Sequence, residues 1–349
     1  MATSEEVAQR AGVSRATVSR VINGSKYISA EMRERVLAAI KELEYEPDMI
    51  ARNLAQRRSK VIALKFFAEY DELTFVKFGH TSSYFYLEVL KNVEQEAVSS
   101  GYDLLMPFRP HDKSPEGYIR SLQTRRVAGS IMLPHGPQDP RIPALLRAEI
   151  PIVFIDSMIQ GNAASYVKSD HIDSARQLTQ HLLSLGHQRI AYLAGLATSL
   201  SGMERLLGCH QALAQAGLEL DANLLRYSGW DMEDAYKAAS ALLDERHDFT
   251  AMIAASDVMA MGALRALNEH NLCVPDDISL ASFDGIEFSE YTSPPLTTMQ
   301  QDREAIGRGA VQLLISIIEE SGEKPPSPLI VPTRLIVRKS TGPAPSASF

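Results

Sequence analysis

Three carboxylates stand where apolar runs stop. Asp156 follows Ile152-Val153-Phe154-Ile155, Asp257 with Ser256 ahead of it follows the run 251–255, and Asp284 follows 278–283. An ionised carboxylate is acceptor-only, and its two oxygens can take two hydroxyl hydrogen bonds, which suits a polyol ligand. In parallel sheets, ligands sit beyond the carboxyl ends of strands, where these residues fall. The same residue types also cap helices. Asp257, directly ahead of Val258, is expected to be such a cap, and Asp284 is the better ligand residue. A second group lies near the N-terminus, where Arg15, Ala16, Ser19 and Arg20 fall on the outer face of a short helix whose inner stripe is Val18, Val21 and Ile22. Outward residues of this kind are what a recognition helix presents to a DNA major groove, and an arginine there can hold guanine O6 and N7 together.

The elements that position the second group are written locally. Thr3-x-x-Glu6 has the form of a capping box, so a helix is expected from about Ser4 with Val7, Ala8 and Ala11 inward. Gly12 supplies a left-handed stop, and Ser14 stands where the second helix wants an N-cap. A third helix is expected after Ser29, with Val36, Leu37, Ile40 and Leu43 on one face, ending at Tyr45-Glu46-Pro47. Residues 1–46 therefore read as an all-α helix-turn-helix head. Residues 47–60 read as a hinge helix and linker, with Asp48 as a cap and the basic run Arg57-Arg58-Ser59-Lys60 behind it.

From Val61 the pattern changes to short apolar runs alternating with helical periods. Strands are expected near 61–67, 102–108, 129–133 and 152–155, with helices near 87–99, 115–125 and 142–147. A second series then places strands near 166–168, 189–194, 251–254 and 278–283, with helices near 172–185, 204–216, 232–243 and 258–269. Continuous apolar strands joined by helices imply parallel sheets covered on both faces, so 61–340 reads as an α/β core of two similar lobes. A strand near 296–299, a helix over 303–320 and strands near Leu329 and Leu335 must return to one or both sheets, so several crossings between lobes are expected. The tail 341–349 lacks a core-forming pattern and is expected to be disordered; it carries no coiled-coil heptad.

At 349 residues with 45% apolar content, the chain can fill more than one core. The formal charge is -8, yet residues 1–60 hold 11 Lys/Arg against 8 Asp/Glu, so the cation excess sits beside the helix-turn-helix. That balance favours phosphate contact at the head and disfavours it in the core. Cys209 and Cys273 form no CxxC or Cys/His cluster and read as buried, reduced thiols. His171, His181, His187 and His210 recur without metal-ligand spacing and read as surface or capping residues. Neither a signal peptide nor a membrane span is evident, so the protein is expected in the cytoplasm with no membrane partner. No Walker A, GxGxxG, HExxH or GxSxG motif is present, and neither an enzyme nor a cofactor is expected. A sugar-binding transport protein would share the two-lobed body but not the head.

The order of these features resembles the lactose and galactose repressor (LacI/GalR) family of bacterial transcription regulators over nearly the whole chain. The motifs are Val7-Ala8-x-x-Ala11-Gly12-Val13-Ser14-x-x-Thr17-Val18-Ser19-Arg20-Val21 in the head and Tyr45-x-Pro47-x-x-x-Ala51-Arg52-x-Leu54 in the hinge. Leu185-Gly186-His187-x-Arg189-Ile190-Ala191, Val274-Pro275-x-Asp277-Ile278-Ser279, Phe283-Asp284 and Pro294-Pro295-Leu296-Thr297-Thr298 complete the set. The resemblance implies a periplasmic-binding-protein-like core, a homodimer reading a near-palindromic operator, and repression controlled by a small effector, a sugar or sugar derivative, held between the lobes. It makes Ser14, Arg15, Ala16, Thr17, Ser19, Arg20 and Asn23 of the head and Ala51 and Leu54 of the hinge the DNA contacts. Leu54 stands where the family wedges a leucine into the minor groove at a central CG step. Carried over residue by residue, the effector site comprises Tyr86, Asp156, Arg205, Trp230, Ser256 and Asp284. Trp230 is either a stacking platform for sugar C–H faces or core filler, and Arg205 with Asp284 either a donor-acceptor pair for ligand or a bridge closing the lobes. Two positions depart from the family pattern: residues 68–82 intervene before Ser83-Tyr84-Phe85-Tyr86, and Ser256 stands where an asparagine is common.

Overall fold

A computed structural model describes residues 2–22, 25, 27–45, 59–66, 84–106, 114–133, 139–319 and 327–345. The chain divides into two compact units, Met1–Lys60 and Val61–Phe349. In the first, α1 (Ser4–Ala11) starts on a complete capping box: Glu6 N donates to Thr3 Oγ1 at 3.3 Å and Thr3 N to Glu6 Oε2 at 2.7 Å. Gly12, at φ 64°, ends it in the left-handed backbone region that glycine adopts without strain. Thr17 N donates to Ser14 Oγ at 3.2 Å as α2 (Arg15–Ile22) begins, and Ser29 caps α3 (Ala30–Glu42). Val7, Ala8, Ala11, Val18, Val21, Val36 and Ala39 make the head's core. Leu37, expected inward, is 52% exposed. One residue past Val36 turns about 100° around a helix, and Ala39 takes the inner place instead.

Among the described residues the second unit holds two six-stranded sheets. The first runs β11 (Leu329–Val331), β5 (Ala164–Ser169), β4 (Ile152–Ile155), β3 (Gly129–Leu133), β1 (Val61–Phe66), β2 (Asp103–Leu105), all parallel. The second runs β12 (Thr333–Ile336), β10 (Thr297–Gln301), β9 (Ser279–Asp284), β8 (Ala251–Ala254), β6 (Ile190–Ala194), β7 (Leu225–Tyr227). It is parallel except for the edge strand β12, which runs antiparallel to β10. The strand expected near 166–168 opens no second series: β5 lies in the first sheet, paired with β4 from Ile152 opposite Ala164 to Ile155 opposite Val167. Hydrogen-bond partners assign a strand to a sheet, and periodicity carries no record of them.

Helices α4 (Tyr84–Ser99), α5 (Pro115–Thr124), α6 (Arg141–Ala148) and α11 (Arg303–Glu319) cover the first sheet, α4 and α11 packing together. Helices α7 (His171–Ser184), α8 (Leu200–Gln215), α9 (Met232–Glu245) and α10 (Asp257–Glu269) cover the second, in the close pairs α7–α8 and α9–α10. The chain crosses between lobes from β5 to α7, from β10 to α11 and from β11 to β12. Side chains lace these crossings: Ser169 Oγ donates to Gln301 Oε1 at 2.6 Å, and the Ser174 and Thr333 hydroxyls lie 2.5 Å apart. Val258 and Ile286 of the second lobe are buried in the first lobe's apolar cluster.

The start of the tail is tied down, contrary to its composition. Gly342 N donates to Ser279 Oγ at 3.0 Å, Ala344 N to Leu185 O at 2.8 Å, and the Gly342 carbonyl lies 3.0 Å from His187 Nε2. Backbone groups find partners here without an apolar side chain to announce it. Cys209 is buried as expected, but Cys273 is exposed. Among the described residues no helix is long and apolar enough to cross a membrane.

Candidate functional site

Asp156, Gly195, Ser256 and Asp284 follow or end strands β4, β6, β8 and β9, at the carboxyl edges of the two sheets. Asp156 has φ 52° and Asp284 φ 103°, backbone states that a non-glycine residue holds only when its surroundings enforce them. At Asp284 the enforcement is visible. Oδ1 accepts from Arg205 Nη2 at 2.9 Å and from Gln301 Nε2 at 2.8 Å, while Arg303 Nη1 donates to the carbonyls of Asp284 and Gly285 at 3.2 and 2.7 Å.

Arg205, on α8, also donates through Nη1 to the Ala255 carbonyl oxygen, and its guanidinium lies 4.9 Å from the Phe283 ring centroid and 5.9 Å from that of Trp230. It is 3% exposed. Burial alone would depress the pKa of such a guanidinium, but Asp284 and Asp156 outweigh it and the net shift is upward. Both Arg205 and Asp284 belong to the second lobe, so their bridge does not close the lobes. Trp230 packs beside the second lobe's core and lies flat on Gly195, where any Cβ would stand 2.5 Å from the ring. The indole therefore packs against the core on one side and lies beside Arg205 on another.

The first lobe contributes Asp156. Tyr86 on α4 donates to Asp156 Oδ2 at 2.9 Å, and His171 Nε2 lies 3.2 Å from Oδ1. Burial pushes the carboxyl pKa up, but His171, Tyr86 and Arg205 prevail and hold it below the ordinary value. Burial, then the Asp156 charge, lifts the Tyr86 phenol well above its own. His171 is 1% exposed, not the surface or capping residue its spacing suggested.

Ser256 caps α10, accepting from Met259 N at 3.2 Å, a role expected of Asp257. Asp257 is the first residue inside the helix and points its carboxylate at three donors: Ser282 Oγ at 2.5 Å, Thr298 Oγ1 at 2.6 Å and Ile286 N at 2.7 Å. Desolvation, reinforced by the Asp284 charge, outweighs these bonds and raises its pKa to about 7. Gln301 and His171 were missed by the sequence reading, although both fall at or just past the end of a strand, where the rule that found the aspartates also applies.

In the head, Ser14, Arg15, Ala16, Ser19 and Arg20 are exposed on the face of α2 away from Val18 and Val21, with Thr17 half-buried. Arg15 Nε lies 3.4 Å from Glu5 Oε2, both side chains more than half exposed, so this guanidinium is exchangeable. The predicted contacts Asn23, Ala51 and Leu54 lie outside the described residues.

A helix-turn-helix unit followed by a two-lobed body with a polar cluster at facing strand ends defines a ligand-responsive DNA-binding protein. The comparisons with known proteins agree. Residues 3–48 match the model of bacterial regulatory proteins, lacI family, and residues 179–341 that of a periplasmic binding protein-like domain. The HTH-type transcriptional regulator CelR of Thermobifida fusca is 36% identical over 340 residues, 97% of this chain and 98% of its own. The HTH-type transcriptional repressor PurR of Haemophilus influenzae (strain PittEE) is 32% identical over 345 residues, with the same coverage of 97% and 98%. Among solved structures, the transcriptional regulator CelR–cellobiose complex is similar with a TM-score of 0.72 and 34% identity, over 97% of this chain and 100% of that one. The lac repressor dimer bound to operator and the anti-inducer ONPF gives 0.81 and 30%, over 98% and 99%. The chain belongs to the lacI family of bacterial regulatory proteins and is a DNA-binding transcriptional regulator.

Proposed function

We propose that this protein is a cytoplasmic, operator-binding repressor that turns over no substrate, and that it acts as a homodimer on a near-palindromic site under the control of a carbohydrate held between its lobes. The observation that carries the reading is the cleft cluster: Asp284 shared by Arg205 and Gln301, Asp156 held by Tyr86 and His171, and the Trp230 ring beside the guanidinium. A sugar offers hydroxyl groups and an apolar C–H face, which carboxylates, a guanidinium and an indole match in turn. Tyr86, Asp156, Arg205, Trp230, Ser256 and Asp284 are the ligand contacts; the Ser256 hydroxyl accepts from Met259 N and still has a proton to donate. The relative solved with cellobiose makes that disaccharide the first ligand to test.

On the DNA side, Arg15, Ala16 and Arg20 read bases with Ser14, Thr17, Ser19 and Asn23 beside them, while Ala51 and Leu54 act from the hinge in the minor groove. Coupling between cleft and operator is reciprocal: whatever factor cellobiose applies to operator affinity, operator applies to cellobiose affinity. The test is selection of bound sequences from random duplex DNA at physiological salt, with and without cellobiose. A palindrome centred on CG whose retention changes with cellobiose is the expected outcome. Failure to enrich any sequence under either condition would refute operator reading, and enrichment indifferent to cellobiose would refute that ligand.

A further inference from the structure

Helix α8 sets Glu204 and Arg205 side by side, and the two side chains serve different lobes. Arg205 stays within the second lobe, on Asp284 and the Ala255 carbonyl. Glu204 crosses to the first: Lys168 Nζ, on the penultimate residue of β5, donates to Glu204 Oε1 at 2.5 Å and to Oε2 at 2.6 Å. The two side chains are only 7% and 9% exposed.

A lysine and a glutamate withdrawn this far from water add little net stability, because desolvation offsets their attraction. What such a pair supplies is direction. One ammonium held on both oxygens of one carboxylate fixes the turn of α8 that carries Glu204 relative to the end of β5. Arg205 leaves the helix at the next residue, so the same tie fixes where its side chain starts. The far end of Arg205 is anchored through Nη1 and Nη2, whereas its buried Nε has no hydrogen-bond partner and the Phe283 and Trp230 rings beside it impose no single direction.

We propose that Lys168 and Glu204 are positioning residues of the effector cleft: their ion pair across the lobes sets Arg205, and so transmits the arrangement of the lobes to the guanidinium that meets the ligand. This rests on the cleft being the effector site. Trp230 is the single tryptophan of the chain, and its ring lies 5.9 Å from the Arg205 guanidinium, so its emission reports that placement without any ligand.

The test uses the full chain, with Lys168→Met and the double variant Lys168→Met/Glu204→Leu, each followed by Trp230 emission, cellobiose titration and thermal unfolding. Lys168→Met strands a buried carboxylate, so it should melt lower, shift Trp230 emission and bind cellobiose about tenfold more weakly. The double variant should regain its melting temperature, since apolar side chains accept burial, while emission stays shifted and cellobiose binding stays about tenfold weak, because the directional tie is still gone. Recovery of emission and affinity together with melting would overturn the proposal and leave the pair a stabilising contact only. If Lys168→Met does not fold, the double variant against the native chain makes the same decision. If the native chain does not bind cellobiose, that ligand is refuted, and the Trp230 emission of the variants still decides the positioning role.

Discussion

The recognition helix and the cleft solve opposite problems. On α2 the residues proposed to meet DNA are exposed, lie within one short stretch of sequence, and depend on Val18 and Val21 only for a rigid back. In the cleft the proposed contacts are buried or half-buried, come from positions as far apart as Tyr86 and Asp284, and are held by one another and by neighbours: Tyr86 and His171 on Asp156, Arg205 and Gln301 on Asp284. A side chain on the helix can be removed with local consequences. A side chain in the cleft leaves its partners buried without compensation.

That contrast gives the largest expected effect to Asp284→Ala. It leaves Arg205 buried without its carboxylate, so unfolding in urea should show a loss of about 3–5 kcal/mol and calorimetry a loss of cellobiose binding. A loss below that of any head variant would break the comparison. Arg20→Ala should weaken the selected operator by about 1–3 kcal/mol while leaving random DNA and the unfolding midpoint nearly unchanged, measured by fluorescence anisotropy. Equal losses on both DNAs would make Arg20 a phosphate contact.

A pH effect is confined to the core. The Asp257 carboxyl titrates at about 7 in the folded chain. In the unfolded chain it titrates near the ordinary carboxylate value. Below both values folded and unfolded chains alike hold the proton; between them only the folded chain keeps it. Stability therefore falls as pH rises through that window, by up to about 1.4 kcal/mol per pH unit, and levels off above it. Asp257→Asn should flatten this slope in urea titrations, and an unchanged slope would assign it to other groups. The smallest effect belongs to Gly12→Ala. No atom lies within 4 Å of the new Cβ, so only the left-handed backbone at φ 64° opposes it, and unfolding of the head should move by about 1 kcal/mol. A larger loss would show that the turn does more than end α1.

Legibility followed the same divide. The capping box at Thr3, the stop at Gly12, the cap at Ser14 and the outward set on α2 could all be read from neighbouring residues, because a helix relates residues three and four apart. Strand ends pointed to Asp156 and Asp284 for a similar reason. Leu37 was misplaced by one helical step, and the cap expected of Asp257 falls to Ser256 one residue earlier, since either could cap and only the donors around Asp257 decide. The family motifs carried Arg205 and Trp230 into the candidate site, but not His171, Gln301 or the Lys168–Glu204 pair.

By itself, then, the sequence determined the head, the α/β alternation, the strand-end carboxylates and the family, all of which rest on local spacing or on motifs of contiguous residues. Tertiary structure alone decided that β5 joins the first sheet, where the described chain crosses between the lobes, that the segment from 341 to 344 is tied to the second lobe, and that Lys168 meets Glu204. Each of these is a pairing of backbone groups or charges far apart in the chain. Hydropathy and spacing record which residues avoid water, and they hold no record of which distant partner completes a hydrogen bond or an ion pair.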